Sequence, residues 1–473
     1  MNYSQIPLCL ALDESLILVR IADERLLARA RQAPGAFVQI VGRLIYGTTP
    51  QSQNAAPPPP VDLNSLPLRL ELVDWLRHQR SVGRRLILLV DGDIAAAEQI
   101  AARLDLFDEL VPTDRYQGTP AQRRRSALVE RFGDHGFDYL GSQACDRIVW
   151  QASRRALVVG DVSIKKCIGR DSEFVETSPR AQTWPLTWIN AMRLYQWTKN
   201  GLIFVPPLLA HEIIQPHVLV NSVLAFVAFG LCASSVYLVN DLIDLTADRQ
   251  HSRKRLRPFA AGTLSARSGL AVAALLITGA VVFAATVGAR FMGVLAGYYV
   301  LTWAYSLYLK RVPLLDVMLL AALYTLRIIA GAAAAQVPVS FWLLAFSVFI
   351  FLSLGFVKRY AELADARKAD RPIGHARGYR DADLPLIMSL GTASGYSAIV
   401  VMALYVNSAE SQSLYQHHKP LWLICPLMLF WISRIWIVTT RGAMHDDPVI
   451  FAVRDRVSLL IVGALGVIVL VSI

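Results

Sequence analysis

The chain has 473 residues, 54% of them hydrophobic, and a formal net charge of +11. That apolar fraction excludes an ordinary soluble protein of this size. It is also unevenly spread: residues 1 to 180 carry charges throughout, whereas from Trp184 onward long apolar runs follow one another. The positive charge does not point to nucleic acid, because the basic residues of the second half sit in short loops between apolar runs, where cytoplasmic loops collect Lys and Arg.

In chain order, the apolar stretch at 6–12 is too short for a signal peptide and lacks a basic flank, so it reads as a buried strand. Residues 8–12, 86–90, 139–140 and 156–159 are predicted to be buried parallel strands, and 95–104 an amphipathic helix. Together they predict a soluble parallel α/β domain over 1–167. The run at 54–60, with four consecutive prolines, reads as a stiff extended insertion. Residues 168–184 read as a linker to a membrane domain at 185–473. The cysteines Cys9, Cys145, Cys167, Cys232 and Cys425 form no CxxC pair and support neither a zinc site nor a disulfide framework.

Nine candidate spans follow, at 188–209, 217–239, 268–288, 291–309, 315–334, 339–357, 384–406, 420–439 and 457–473; about 20 apolar residues cross a bilayer. The loops after the even spans carry most of the charge, including Arg249, Arg253, Lys254, Arg255, Arg257, Lys310, Arg311, Lys358, Arg359, Arg367, Lys368, Arg371, Arg377, Arg380, Arg441, Arg454 and Arg456. Those after the odd spans carry little beyond Arg290 and Lys419. This bias places the even loops and the amino-terminal domain in the cytoplasm of a cytoplasmic-membrane protein, and the carboxyl terminus outside.

Residues 240–249 read NDLIDLTADR, directly after an apolar span. On one helix Asn240, Asp244 and Asp248 share a face, with Asp241 beside them. Carboxylates gathered at a membrane surface repel one another unless a cation is bound, and Mg2+ bridges carboxylates to substrate phosphates. Residues 254–262 follow as KRLRPFAAG, in which Lys254, Arg255 and Arg257 can grip phosphate oxygens. A loop that merely stays wet would explain one Asp, but not three beside this basic run.

These two stretches resemble the first signature of the UbiA superfamily of intramembrane prenyltransferases, NDxxDxxxDR followed by KxxRPxxxG, over residues 185–473. Residues 193–200, RLYQWTKN, fit an RxxQWxKN pattern that resembles the decaprenyl-phosphate phosphoribosyltransferase branch. Leu309-Lys310 leading to Leu315-Asp316, Arg327 with Ala330-Gly331, Arg441-Gly442 and Asp446-Asp447-Pro448 fit as well. The resemblance implies a UbiA-like fold of nine transmembrane helices and a Mg2+ ion on Asp241, Asp244 and Asp248, with Lys254 and Arg257 completing the catalytic set. It implies substrate-binding roles for Lys199, Asn200, Asn240, Lys310, Asp316, Arg327, Lys358, Arg359 and Glu362. Arg327 also stands out by itself, as a charge several residues into an apolar span. Aromatic prenyltransferases of the superfamily carry a second DxxxD after the sixth span, where this chain has KRYAEL at 358–363. The implied partners are a polyprenyl lipid and a pyrophosphate-bearing substrate. The implied reaction is transfer of phosphoribose from phosphoribosyl pyrophosphate to polyprenyl phosphate. The alternative is prenyl transfer from a prenyl diphosphate to a ring such as 4-hydroxybenzoate. A transporter fits less well, because no inverted repeat is visible and the acids lie at a loop, not at mid-membrane.

The amino-terminal segments resemble the haloacid dehalogenase-like fold. Aligned on its DxDGT motif, the first, third and fifth places hold Ala11, Asp13 and Ser15. Val90 takes the place of a hydroxyl residue, the motif lysine falls near Arg124, and a metal-binding acid falls near Ser142. Asp13, Asp91, Asp93 and Asp146 remain, but without an acid at position 11 no phospho-aspartate forms, so the domain is expected to be non-catalytic.

Overall fold

Six short strands pair in parallel in the order β3-β2-β1-β4-β5-β6. They are β1 Leu8–Ala11, β2 Leu86–Val90, β3 Glu109–Pro112, β4 Asp138–Gly141, β5 Arg155–Val159 and β6 Glu173–Val175. Four are the predicted strands, and the pairings of β1 with β2 and β4 are parallel as expected. The strands are apolar without alternation because both faces are covered. On one face Leu8, Leu10 and Leu88 pack with Leu72 and Leu76 of α2 (Leu70–Ser81) and Ala97 and Ile100 of α3 (Ile94–Leu104). On the other, Cys9, Ile87 and Tyr139 pack with Leu128 of α4 (Pro120–Phe132) and Val149 and Trp150 of α5 (Arg147–Ala152). Helix α1 (Ile21–Gln32) follows β1, and its first turn carries Asp23 and Glu24. Strand order reverses about β1, so the loops at its carboxyl end border a crevice. Many doubly wound sheets share this layout, so it does not single out the haloacid dehalogenase-like fold.

The computed structural model describes residues 6–32, 61–160, 173–175, 184–251, 253–368, 378–444 and 447–473. The proline run at 54–60, most of the expected linker at 168–184, and Cys167, Arg371, Arg377 and Asp446 lie outside them. The chain forms two compact units. The first comprises Met1–Met192 with Tyr237–Ala273, and the second Arg193–Val236 with Ala274–Ile473.

The rest is helical. In chain order the helices are α6 Trp184–Ala191, α7 Val205–Leu209, α8 Pro216–Ile243, α9 Leu245–Gln250, α10 Ala266–Val287, α11 Ala289–Leu307 and α12 Leu315–Ala335. Then come α13 Phe341–Lys368, α14 Leu384–Val406, α15 Ala409–Leu414, α16 Ile424–Thr440, α17 Pro448–Arg454 and α18 Arg456–Ser472. Among the described residues six are long and apolar enough to cross a membrane: α8, α10, α12, α13, α14 and α16, the last two each with the short 3-10 turn before it. The pair α17 and α18, bent by 81° at Asp455, makes a seventh if it counts as one span.

By length and apolarity, then, the expected nine spans are not reached among the described residues. The stretch at 188–209 is broken: Arg193 takes left-handed angles (φ 54, ψ 48), and a 3-10 run, Leu194–Phe204, leads into Pro206 and Pro207. The stretch at 291–309 does form α11, but Arg290, Tyr298, Tyr299, Trp303 and Tyr305 dilute its apolarity. In the second unit α12 lies at the centre, and a Cβ at Gly331 would stand 2.1 Å from the Ile203 carbonyl oxygen, so only glycine permits that approach.

Candidate functional site

The acidic motif lies in the first unit, where α8 ends at Ile243. Asp244 (φ −90, ψ 9) interrupts the helix, and α9 resumes at Leu245. The unbroken helix expected over 240–248 is thus a kinked one, although Asp244 N–H still reaches the Asn240 carbonyl and Asp248 N–H the Asp244 carbonyl, each at 2.9 Å. Two of the three carboxylates meet on one partner. Arg257 Nη1 donates to Asp241 Oδ1 at 3.1 Å and to Asp248 Oδ2 at 2.6 Å. Both acids are buried, and Arg257 is 29% exposed at its side chain. Asn240 and Asp244 are half-buried, and Lys254 stands exposed on the turn Lys254–Leu256.

Every oxygen donor here is hard, which fits Mg2+ and not a thiolate- or imidazole-seeking ion. Among the described residues no three His, Cys, Asp or Glu side chains are gathered closely enough to hold a metal by themselves. Mg2+ commonly takes one or two carboxylates and completes its shell with water and substrate phosphate. The residues therefore fit an ion that arrives with its phosphate.

In the second unit four predicted residues come together. Lys199 Nζ lies 2.8 Å and Lys358 Nζ 3.3 Å from Asp447 Oδ2, and Tyr324 Oη donates to Asp447 Oδ1 at 3.0 Å. Beside them Arg327, 5% exposed, donates from Nε to Asn200 Oδ1 at 3.0 Å and from Nη2 to Tyr298 Oη at 2.9 Å. Its guanidinium also lies over the Tyr298 ring, 4.9 Å from the centroid. Asn200 Nδ2 is buried without a hydrogen-bond partner. Burial alone would raise the Asp447 carboxyl pKa, but Lys358 and Lys199 hold it well below the usual carboxylate range. Two lysines thus share one carboxylate, with the buried Arg327 beside them over the Tyr324 ring, an arrangement suited to an anion. Sequence reading placed Asp447 in a matching run without a site role. As the residue before Pro448 it reads as a helix cap, and it does cap α17 by accepting from Val449 N–H at 3.2 Å. Tyr298 and Tyr324 carried no sequence signal beyond being polar aromatics in apolar helices.

The remaining predicted residues are placed apart from that cluster. Arg359, 1% exposed, pairs with Asp316 and with Glu362, and Tyr379 Oη donates to Asp316 Oδ1 at 2.7 Å. That ties α12, α13 and the segment before α14 together. Glu362, four residues from Lys358, pairs with Arg359, one turn away on α13. Lys310 is half-buried on the turn Leu309–Arg311. Trp197 of the RxxQWxKN run donates to Ser234 Oγ at 3.0 Å, anchoring the 3-10 run to α8.

The crevice at the carboxyl ends of β1 and β2 holds about 410 Å3 and is lined by Asp13, Arg25, Asp91 and Asp93 among others. Arg124 is buried and bonds Asp91 Oδ2 at 2.6 Å and Asp146 Oδ1 at 2.9 Å. Asp13 accepts from Ile21 N–H at 3.4 Å, and burial pushes its carboxyl up to about 7 against that bond's lowering pull. Ala11, where the nucleophile would sit, ends β1.

The sequence profile of the UbiA prenyltransferase family matches residues 204–454. The chain belongs to that family. It is a UbiA-type multi-pass membrane protein, with a parallel sheet at its amino-terminal end. Among its relatives, the uncharacterized protein y4nM of Sinorhizobium fredii is 34% identical over 98% of this chain and 90% of its own length. Nodulation protein NoeC of Azorhizobium caulinodans is 37% identical over 59% of this chain and 91% of its own. Decaprenyl-phosphate phosphoribosyltransferase of Mycolicibacterium smegmatis is 31% identical over 57% of this chain and 86% of its own.

Proposed function

We propose that this UbiA-family protein transfers phosphoribose from phosphoribosyl pyrophosphate to a polyprenyl phosphate, with Mg2+. The observation that carries this reading is the pair Lys199 and Lys358 on Asp447, with the buried Arg327 beside them on Asn200 and Tyr298. It includes Lys358 of the very stretch where aromatic prenyltransferases of the superfamily carry a second acidic motif. A cationic site there favours a reaction with phosphate on both substrates. The 31% identity to a decaprenyl-phosphate phosphoribosyltransferase supports the same choice.

In this reading carboxylates among Asp241, Asp244 and Asp248 would hold Mg2+ together with the substrate phosphate, and the ion would neutralise the pyrophosphate and stabilise it as a leaving group. Arg257, already on Asp241 and Asp248, moves to the pyrophosphate oxygens, and Lys254 adds a point charge there. Lys199, Lys358 and Arg327 hold a phosphate group. The lipid phosphate oxygen forms its bond to ribose C1 as the bond from C1 to the pyrophosphate oxygen breaks, and the electron pair leaves with pyrophosphate. The attacking oxygen is already anionic, so no general base is required. We further assign the motif loops and the amino-terminal sheet to the cytoplasmic side, from the loop charges, with the broken stretch at 188–209 and α11 crossing the membrane as well. The sheet region is assigned no phosphatase activity, because Ala11 cannot form a phospho-aspartate and Arg124 occupies Asp91 and Asp146.

Purified protein incubated with MgCl2, polyprenyl phosphate and labelled phosphoribosyl pyrophosphate should yield a labelled lipid and release pyrophosphate. No labelled lipid, together with prenylation of 4-hydroxybenzoate from a prenyl diphosphate, would replace this reading with the aromatic one.

A further inference from the structure

The arginine that closes the acidic motif, Arg249, is held by Glu24 of the amino-terminal region. Its Nη1 and Nη2 donate to Glu24 Oε2 and Oε1 at 3.1 and 2.7 Å, a paired contact with both side chains nearly inaccessible, 4% and 6% exposed. Its Nε donates to the Ala260 carbonyl at 3.2 Å. Glu24 sits in the first turn of α1, the helix that follows β1 and its loop. Its neighbour Asp23 takes Arg267, at the start of α10, through contacts of 2.9 to 3.2 Å. Gly262, the last residue of KRLRPFAAG, has φ +74, and a Cβ there would stand 2.6 Å from Leu18 Cβ and 3.0 Å from Pro67 Cγ. The loop end is thus pressed against the sheet region.

These contacts make a chain of constraints. Glu24 fixes the guanidinium of Arg249, the residue next to Asp248. Through Nε the same guanidinium holds Ala260, and so the loop whose other end carries Arg257, bonded back to it by Ala261 N–H to the Arg257 carbonyl at 2.8 Å. Arg257 is the residue that bridges Asp241 and Asp248. A planar guanidinium engaged at all three nitrogens has one orientation, so it transmits position and not only charge.

We propose that the amino-terminal α/β region acts as a positioning element for the metal–pyrophosphate site, with Glu24 as the positioning residue that sets Arg249, Asp248 and the Arg257 loop. This rests on the reading of the acidic motif as the pyrophosphate site, and gives the region a task that needs no phosphatase chemistry. Asp23 docks the region through Arg267, whereas Glu24 holds Arg249, so the two acids separate positioning from docking.

The test uses the full chain in detergent, with magnesium pyrophosphate as the binding probe and labelled-lipid formation as the rate. Glu24→Gln should weaken magnesium pyrophosphate binding about tenfold and raise the KM for the pyrophosphate substrate alike, with the KM for polyprenyl phosphate unchanged. Glu24→Asp keeps the charge on a shorter stem and should weaken binding about threefold. Asp23→Asn should change binding less than twofold. If Glu24→Gln does not fold, Glu24→Asp alone decides, because it leaves the ion pair possible and moves only its geometry. Unchanged pyrophosphate affinity in the Glu24 variants, or an equal loss in Asp23→Asn, would overturn the proposal. A tenfold loss of pyrophosphate affinity in a protein that makes no labelled lipid would leave the positioning role standing and remove the phosphoribosyl reading.

Discussion

Replacing Asp447 by Asn keeps the shape of the side chain and its cap on α17, since Asn caps as well as Asp, but removes the charge that Lys199 and Lys358 share. Lys358 is 31% exposed at its side chain and can turn to solvent, whereas Lys199 is only 10% exposed. The variant therefore leaves one buried ammonium without its counter-ion. Breaking a buried pair from one side costs about 3–5 kcal/mol. With one of the two lysines able to relax, the lower figure of about 3 kcal/mol applies. At roughly 2 °C per kcal/mol for a large domain, the apparent melting temperature in detergent should fall by about 6 °C. Asp447→Ala should lose about 1 kcal/mol more, the worth of the cap. Adding Lys199→Met to Asp447→Asn should recover part of the loss, because the stranded charge is then gone. The pH dependence has a fixed sign. The folded carboxyl titrates below its unfolded value, so its contribution is complete above about pH 4 and is lost as the pH falls further. The gap between wild type and Asp447→Asn should be flat from pH 7 to about 5 and close in stronger acid. Melting of Asp447→Asn with the wild type at neutral pH, or strict additivity with Lys199→Met, would refute the reasoning.

Asp241→Asn, Asp244→Asn and Asp248→Asn should each lower the rate of labelled-lipid formation by about a hundredfold or more, and full activity of the Asp244 variant, or of the wild type in excess chelator, would sink the metal assignment. A reporter at Ile473 should be reached from outside the cytoplasmic membrane and one at Met1 only from inside; finding both on one side would invert the topology argument. Full-length protein should hydrolyse a generic phosphate ester no faster than Asp13→Asn, and turnover that vanishes in that variant would make the crevice a live enzyme. Arg359→Met should destabilise the fold by about 3 kcal/mol or more by stranding Asp316, read as a lower melting temperature at unchanged Mg2+ dependence.

The elements were legible where periodicity and burial agree. Residues 86–90 are apolar at every position because both faces of β2 are covered, and length alone separated that run from a helix. The spans at α8 and α13 were legible for the same reason in the membrane, since a long apolar run has one use, and α12 was legible despite the charges at Asp316 and Arg327. The nine-span count failed where local chemistry cut across hydropathy. A left-handed Arg193 and the Pro206-Pro207 pair break a stretch that averages as apolar, and tyrosines thin α11. Hydropathy sums over a window, so it cannot see a single backbone angle.

The site was legible in its types and not in its pairings. The spacing of Asp241, Asp244 and Asp248 announced a cation, but not that Arg257 already lies across two of them while Asp244 turns at the helix break. Arg359 and Lys358 are adjacent and looked alike, yet on one helix neighbours in sequence point about 100° apart. One closes on buried Asp316 and the other reaches Asp447. Asp447 and Glu24 stand 89 and 225 residues from Lys358 and Arg249, the partners they hold. No local pattern encodes a contact at that distance. Each also reads locally as something else, a helix cap in one case and an acidic first turn in the other. Their distant partners give them a second role: Asp447 is the counter-ion of Lys199 and Lys358, and Glu24 that of the buried Arg249.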